Sequence, residues 1–499
     1  MDIITAKQRL DELEMQMYAY MHALSIVSLD AETAAPAESH EGRGVALGIL
    51  SGELYKLSTS KELSEIVEYI YTHKEEADAE LYRRAELLRE DIRKTSLIPM
   101  DEYTAYQELL NTAAYTWGKA KRANDYESYK PYLEKIVESV KRFAGYTDAD
   151  KHPYDAQLHA FEEGTDRAYY DAFFGEVKQT LVPLIAKIRE LPQPDDSWLH
   201  VSYPIEQQRK LSKVLMDVMG IDPNHCTLAE IEHPCTGGPN CYDVRMTTHY
   251  YENDPMSSVY SVIHEGGHAT YELNGNPAYN YNTLHGGAST ALHESQSRFY
   301  ENYIGRSREF ISWLWPRFCE LFPEQTAGHT AEEMYRCVNK AVPGLIRIEA
   351  DELTYSMHIL IRYELEKRMM EGTVTADELP DEWNRLYKEY LGVDVPDNAR
   401  GILQDVHWSE AYIGYFPTYS LGTAYSAQIL DTMKQEMDFD SLVAEGNLAP
   451  IVGWLREKLY RHCRMIKPGD VLPTLTGKPF DAKYYTEYLT KKYSELYNL

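Results

Sequence analysis

His264, Glu265, Gly266, Gly267 and His268 place two imidazoles four residues apart with a carboxylate beside the first. On an α-helix, with about 3.6 residues per turn and about 1.5 Å of rise per residue, side chains at i and i+4 share a face, so the two histidines can grip one metal ion. Glu265 sits about 100° round the helix and cannot join them. Its carboxylate lies instead beside the open coordination position, where it can take a proton from water. The spacing encodes a ligand pair plus a base, the HExxH arrangement of a metal-assisted hydrolytic centre.

A catalytic zinc site usually takes three protein donors and keeps a further position for water, so another donor is expected downstream. Glu294 is the best placed. It opens a new helical pattern in the run from Leu292 to Arg298, after a loop containing Gly286 and Gly287. Antiparallel return of that helix sets its carboxylate across from the histidine face. His293 and Glu301 are alternatives, and a glutamate there could also serve only the helix dipole. Gly266 and Gly267 each cost a helix about 0.8–1 kcal/mol relative to alanine, which implies close approach of another segment or of substrate.

A peptidase acting on the last residue of a chain needs a fixed cation for the free carboxylate, and planar arginine suits that role. Arg347, which interrupts the apolar run Leu345-Ile346, is the first candidate and Arg245 the second. The structural alternative for each is an ion pair, to Asp351 or Asp243. Further on, His407 and Trp408 are followed by Tyr412 and by Gly414-Tyr415-Phe416-Pro417. Neutral histidine and tyrosine hydroxyls on such a punctuated turn are donors for an oxyanion and for substrate.

Helices must carry most of this. Apolar residues recur at helical spacing, as in Leu10, Leu13, Met17 and Met21, in Leu47, Leu50, Leu54 and Leu57, and in Leu109, Ala113 and Trp117. The chain is predicted to be mostly α. Strand alternation appears from Cys241 to Tyr250, predicting a short strand near the metal helix. Pro and Asp in residues 191–204 mark an internal connection, dividing a helical region over 1–190 from a catalytic body over 205–499.

The 79 acidic against 50 basic side chains give a formal charge of −29, which argues against nucleic acid or an anionic membrane as partner. The charged N-terminus lacks the apolar core of a signal peptide, and no run approaches a membrane span. A cytoplasmic location is expected. The six scattered cysteines form no CxxC pair and read as reduced thiols. Cys235 and Cys241 share a Gly/Pro-rich loop with His233; a loop is the better reading there than a metal site.

Several separate motifs then resemble one family, the carboxypeptidase Taq-like zinc metallocarboxypeptidases. They run in order as His233-Pro234, Asp243 to Thr247, His264 to His268, His293 to Gln296, Ile346 to Asp351 and Gly401 to Trp408, with matching ends at Leu29 to Thr33 and Thr476 to Pro479. The resemblance spans nearly the whole chain. It implies His264, His268 and Glu294 as metal ligands, Glu265 as general base and acid, and Arg347 as carboxylate anchor. It also implies His407 and Tyr415 as groups acting on substrate or oxyanion, with Arg245 lining the cleft; Tyr412 is added as a substrate-binding candidate from its place between them.

The resemblance further implies a large helical fold forming a single catalytic unit, with a deep groove, a small sheet near the metal helix, and a homodimer. Its expected activity is release of single C-terminal residues from peptides with broad specificity and proline disfavoured. Zinc is the expected ion, while cobalt and manganese suit the same donors. The chain departs from the family pattern at Cys235, where phenylalanine is usual, and at Leu29, where tryptophan is usual. Rival readings are a helical zinc oligopeptidase or dipeptidyl carboxypeptidase, and a catalytically silent peptide-binding scaffold.

Overall fold

The computed structural model describes residues 1–36 and 38–499. Twenty α-helices dominate it, joined by short turns and one small sheet. Near the N-terminus, helices Ile3–Thr33, Lys61–Thr72 and Ala79–Leu97 enclose an apolar centre of their own, built from Leu10, Leu13, Leu63, Ile66, Ile70 and Leu81. Helix His40–Ser58 lies beside them with no fully buried side chain. Lys61–Thr72 shows how such elements form. Ser60 caps its first turn, accepting from Leu63 N, and Leu63, Ile66, Val67 and Ile70 bury one stripe at helical spacing.

From Met100–Ala123 onward the chain shares one continuous core that takes in residues from Ala113 to Tyr497. The break read at 191–204 is a non-helical passage with a single turn at Ser197–His200. Two helices run through the middle, Tyr355–Glu371 and Phe416–Glu436. The second carries small residues such as Ser420, Gly422, Thr423 and Ala424, which let neighbouring backbones approach closely.

The sheet has three strands, β1 (Cys226–Glu230), β2 (Thr236–Asn240) and β3 (Asp243–Thr248), in the order β1-β3-β2. β1 runs parallel to β3, with Cys226 opposite Val244, and β2 runs antiparallel, with Thr236 opposite Met246. The alternation read over Cys241–Tyr250 is β3, shortened at both ends. Gly238 lets β2 pass close to β3 where their register is irregular, because an added Cβ there falls 2.9 Å from Val244 Cα and still closer to Asp243 O. Val244 and Met246 are buried on the core side and tie the sheet to the helix that follows.

That helix, Pro255–Leu273, starts with Asp254 accepting from Ser257 N and with Pro255 in its first turn. Among the described residues no helix is long and apolar enough to cross a membrane.

Candidate metal centre and active site

His264, Glu265 and His268 project from Pro255–Leu273, and Glu294 projects from helix Thr290–Arg298, whose N-cap is Ser289. The two helices meet with almost nothing between them. A Cβ on Gly267 would fall 2.5 Å from Gln296 O and 2.7 Å from Ser297 Cα. On the far side of the Glu294 helix, a Cβ on Gly422 would fall 2.5 Å from Ala291 O and 2.9 Å from Glu294 Cβ. Glycine is therefore required at both contacts, and the close approach read from Gly266-Gly267 is that of Glu294's own helix at Gly267 and of the Met219 side chain at Gly266.

The result is convergence. Ligand-type atoms of His264, His268 and Glu294 lie within 4.8 Å of one another, with Glu294 Oε2 3.8 Å from His264 Nε2 and 3.6 Å from His268 Nε2. Two imidazoles and one carboxylate form a donor set that suits a divalent ion of the zinc type. The alternatives His293 and Glu301 are placed one step further out.

Each imidazole is oriented through its other nitrogen. For Nε2 to present a lone pair to an ion shared with Glu294, Nδ1 must carry the proton. His264 Nδ1 donates to Glu301 Oε2 at 2.9 Å. His268 Nδ1 donates to His293 Nδ1 at 2.6 Å, and His293 Nε2 donates to Glu272 Oε1 at 2.6 Å. Such partners fix tautomer and ring orientation and raise ligand basicity. Glu301 comes within reach because the helix widens into a π-turn over Phe299–Gly305 directly after Thr290–Arg298.

The carboxylates are matched by cations. Arg298 donates to Glu294 Oε1 at 2.7 Å and to Glu301 Oε2 at 3.0 Å, and Arg306 donates to Glu301 Oε1 at 3.1 Å. Burial pushes both carboxyl groups up, but Arg298 above all overrides it and holds them well below the usual carboxylate range. Burial likewise disfavours a charged His264, and the Glu294 and Glu301 carboxylates reverse that, raising its pKa.

The centre opens on a cavity of about 1150 Å³ whose wall includes His264, Glu265, His268, Glu294, Tyr415 and Tyr419. The opposite wall comes from Ala79–Leu97, through Arg83, Arg89 and Arg93. Tyr415 stays a hydroxyl donor because burial raises its pKa. Tyr412 is half exposed and packs its ring 5.4 Å from that of Tyr415.

His407 and Arg347 stand behind this wall. His407 Nε2 lies 3.5 Å from Tyr419 Oη, and its ring packs 4.4 Å from Phe416. Burial, then the Arg347 charge, lowers its pKa to about 4, so the ring is neutral. Arg347 is paired, but not with Asp351. Its Nε and Nη2 donate to Asp405 Oδ1 at 3.0 and 2.9 Å, while Arg362 donates to Asp405 Oδ2 at 2.7 and 2.5 Å. Two guanidinium groups on one carboxylate leave a surplus positive charge, with Arg347 resting on the Tyr419 ring at 5.3 Å. Asp351 instead receives the backbone N–H groups of Leu353 and Thr354 at the start of the next helix. Arg245 on β3 is held by Asp243, the ion-pair alternative weighed for it.

Three residues emerge that sequence reasoning did not single out. Glu366 is fully buried and accepts from Trp408 Nε1 at 2.7 Å, Gly414 N at 2.8 Å and Tyr154 Oη at 2.9 Å, pinning the loop that bears His407 and Tyr415. Glu162 accepts from Ser289 Oγ at 2.8 Å and Ala291 N at 3.0 Å, holding the start of the Glu294 helix. Burial raises each carboxyl to about 7. Glu272 had a readable signal, lying four residues beyond His268 on the same helix face. Cys235 and Cys241 flank β2, and among the described residues they join no cluster of ligand-type groups.

Comparison with known proteins fits this geometry. Residues 9–493 match the family described as carboxypeptidase Taq (M32) metallopeptidase. Carboxypeptidase 1 of Bacillus subtilis is 36% identical over 501 residues, covering 100% of each chain. Thermostable carboxypeptidase 1 of Pyrococcus furiosus is 33% identical over 489 residues, covering 96% of each. The crystal structure of a carboxypeptidase of the same family from Deinococcus radiodurans superposes with a TM-score of 0.97 at 32% identity, over 99% of this chain and 100% of that one. With the metal-type cluster set in a groove and the match running from end to end, the chain belongs to the carboxypeptidase Taq family and is a metallocarboxypeptidase.

Proposed function

We propose that this enzyme removes single residues from the C-termini of peptides, using a zinc ion held by His264, His268 and Glu294. The observation that carries the reading is the convergence of those three donors on a groove wall, with both imidazoles already oriented by outer hydrogen bonds. The ion, when bound, acidifies a water and polarises the scissile carbonyl. Glu265 takes the proton from that water as its oxygen attacks the carbonyl carbon, then delivers the proton to the leaving amine. Tyr415, a protonated phenol on the wall, donates to the developing oxyanion, and neutral His407 orients the tyrosine cluster through Tyr419.

The surplus charge of the Arg347-Asp405-Arg362 group attracts the substrate's free carboxylate from behind Tyr419, with Tyr412 bordering the approach. Arg245 is tied to Asp243 at the sheet and is not among the described residues that line the cavity, so the carboxylate role falls to Arg347 and its surplus charge. Broad specificity with proline disfavoured, a homodimer and a cytoplasmic setting complete the proposal. Mass spectrometry of an N-blocked peptide tests it. Stepwise loss of one C-terminal residue, abolished by chelator and restored by zinc, is the expected outcome. Dipeptide or internal cuts would overturn single-residue release, and full restoration by cobalt or manganese but not zinc would overturn the choice of ion.

A further inference from the structure

The base has a holder on the sheet. Thr236, the first residue of β2, directs its hydroxyl at Glu265, with Oγ1 2.7 Å from Glu265 Oε2 and 3.0 Å from Glu265 O. No other hydrogen-bond donor reaches the Glu265 carboxylate among the described residues. We propose that Thr236 is a positioning residue for Glu265, holding one carboxylate oxygen so that the other faces the groove in a fixed rotamer. The proposal rests on the reading of Glu265 as the base.

The strand is itself clamped at this point. Cys235 N donates to Thr247 Oγ1 at 2.7 Å, Thr247 N donates to Cys235 O at 2.9 Å, and Thr247 is fully buried on β3. Both backbone groups of the residue before Thr236 are therefore fixed by one residue, Thr247. Further along β2, Gly238 lies so close to β3 that an added Cβ would fall 2.9 Å from Val244 Cα. A glutamate has several rotatable bonds, and an untethered one on a cavity wall samples rotamers that aim its carboxylate elsewhere. Holding it at reacting distance is worth rate, because proton transfer demands a near-attack arrangement. The arrangement explains why the small sheet lies against the metal helix: it carries no ligand, and it supplies the hydroxyl that aims the base.

Thr236→Val keeps the shape and the β-branch but removes the donor. Metal content and Tm should stay at the wild-type level, kcat should fall on the order of tenfold, and KM should change little. Thr236→Ala should lose kcat to a similar extent, and Thr236→Ser should restore most of it. In a Glu265→Gln background the Thr236→Val loss should vanish, since there is no base left to aim. Wild-type kcat in Thr236→Val, a Ser variant as impaired as the Val variant, or a full loss added on top of Glu265→Gln would each overturn the proposal. Glu265→Gln alone separates the two levels: if it keeps wild-type turnover, the reading of the base itself is wrong.

Discussion

Helix Lys61–Thr72 and helix Thr290–Arg298 bury opposite kinds of surface. The first hides Leu63, Ile66, Val67 and Ile70 and leaves its charges in water. The second hides Ala291, Leu292, Glu294, Ser295, Gln296 and Ser297, so most of what it buries is polar. Burying polar groups is favourable only when each finds a partner. They do: Glu294 is met by Arg298 and Ser297, and Gln296 accepts from Tyr460 Oη at 2.8 Å while donating to Ser295. The amphipathic helix contributes stability through area, whereas the buried polar helix holds geometry. Substitutions in the two regions should therefore be read by different instruments.

The sharpest separation comes from the centre. His268→Ala should abolish both bound metal and turnover, measured by elemental analysis and peptide cleavage, while far-UV circular dichroism stays unchanged. In the N-terminal region, Ile66→Ala should destabilise its local core by about 2–5 kcal/mol in denaturant titration, yet leave metal content intact. Metal loss on that substitution would break the comparison. Glu301→Gln lies between the extremes: competition with a chelator should show metal affinity weaker by about 10- to 100-fold, and Tm should fall as well, because buried Arg306 loses its carboxylate partner.

The smallest effect concerns His407. Its folded pKa of about 4 lies below the ordinary value of 6.5, so the unfolded chain binds the extra proton first as pH falls. The buried neutral ring favours the fold above about pH 6.5, and that contribution is lost as pH falls toward 4. Histidine ring resonances followed by NMR should give its midpoint near the lower figure. A midpoint near 6.5 would mean that the ring is solvated and that the tyrosine cluster is looser than described.

The same contrast explains what could be read from residues alone. Period and spacing expose elements whose own residues announce their surroundings: Leu63 to Ile70, the histidine pair at i and i+4, and Glu294 after its glycine loop. β3 was legible through the alternation around Val244 and Met246. β2 was not, because Thr236-Gly237-Gly238-Pro239-Asn240 has turn composition and becomes a strand only through its pairing with β3. Partners remote in sequence were also hidden. Asp405 is 58 residues from Arg347, and Glu162 is 129 from Ala291, so no local pattern could join them. The outer hydrogen bonds of His264 and His268 depend on a π-turn and a helix crossing that periodicity does not encode.

The pairing of Glu294 and Glu301 with Arg298 and Arg306 bears on the order in which this enzyme matures. Two acids and two bases of the cluster neutralise one another within the polypeptide, so the chain can complete its fold on leaving the ribosome without waiting for a cation to cancel buried repulsion. Closure of the fold around the three donors therefore does not depend on a bound ion, because the charges that burial would set against one another are already balanced by Arg298 and Arg306.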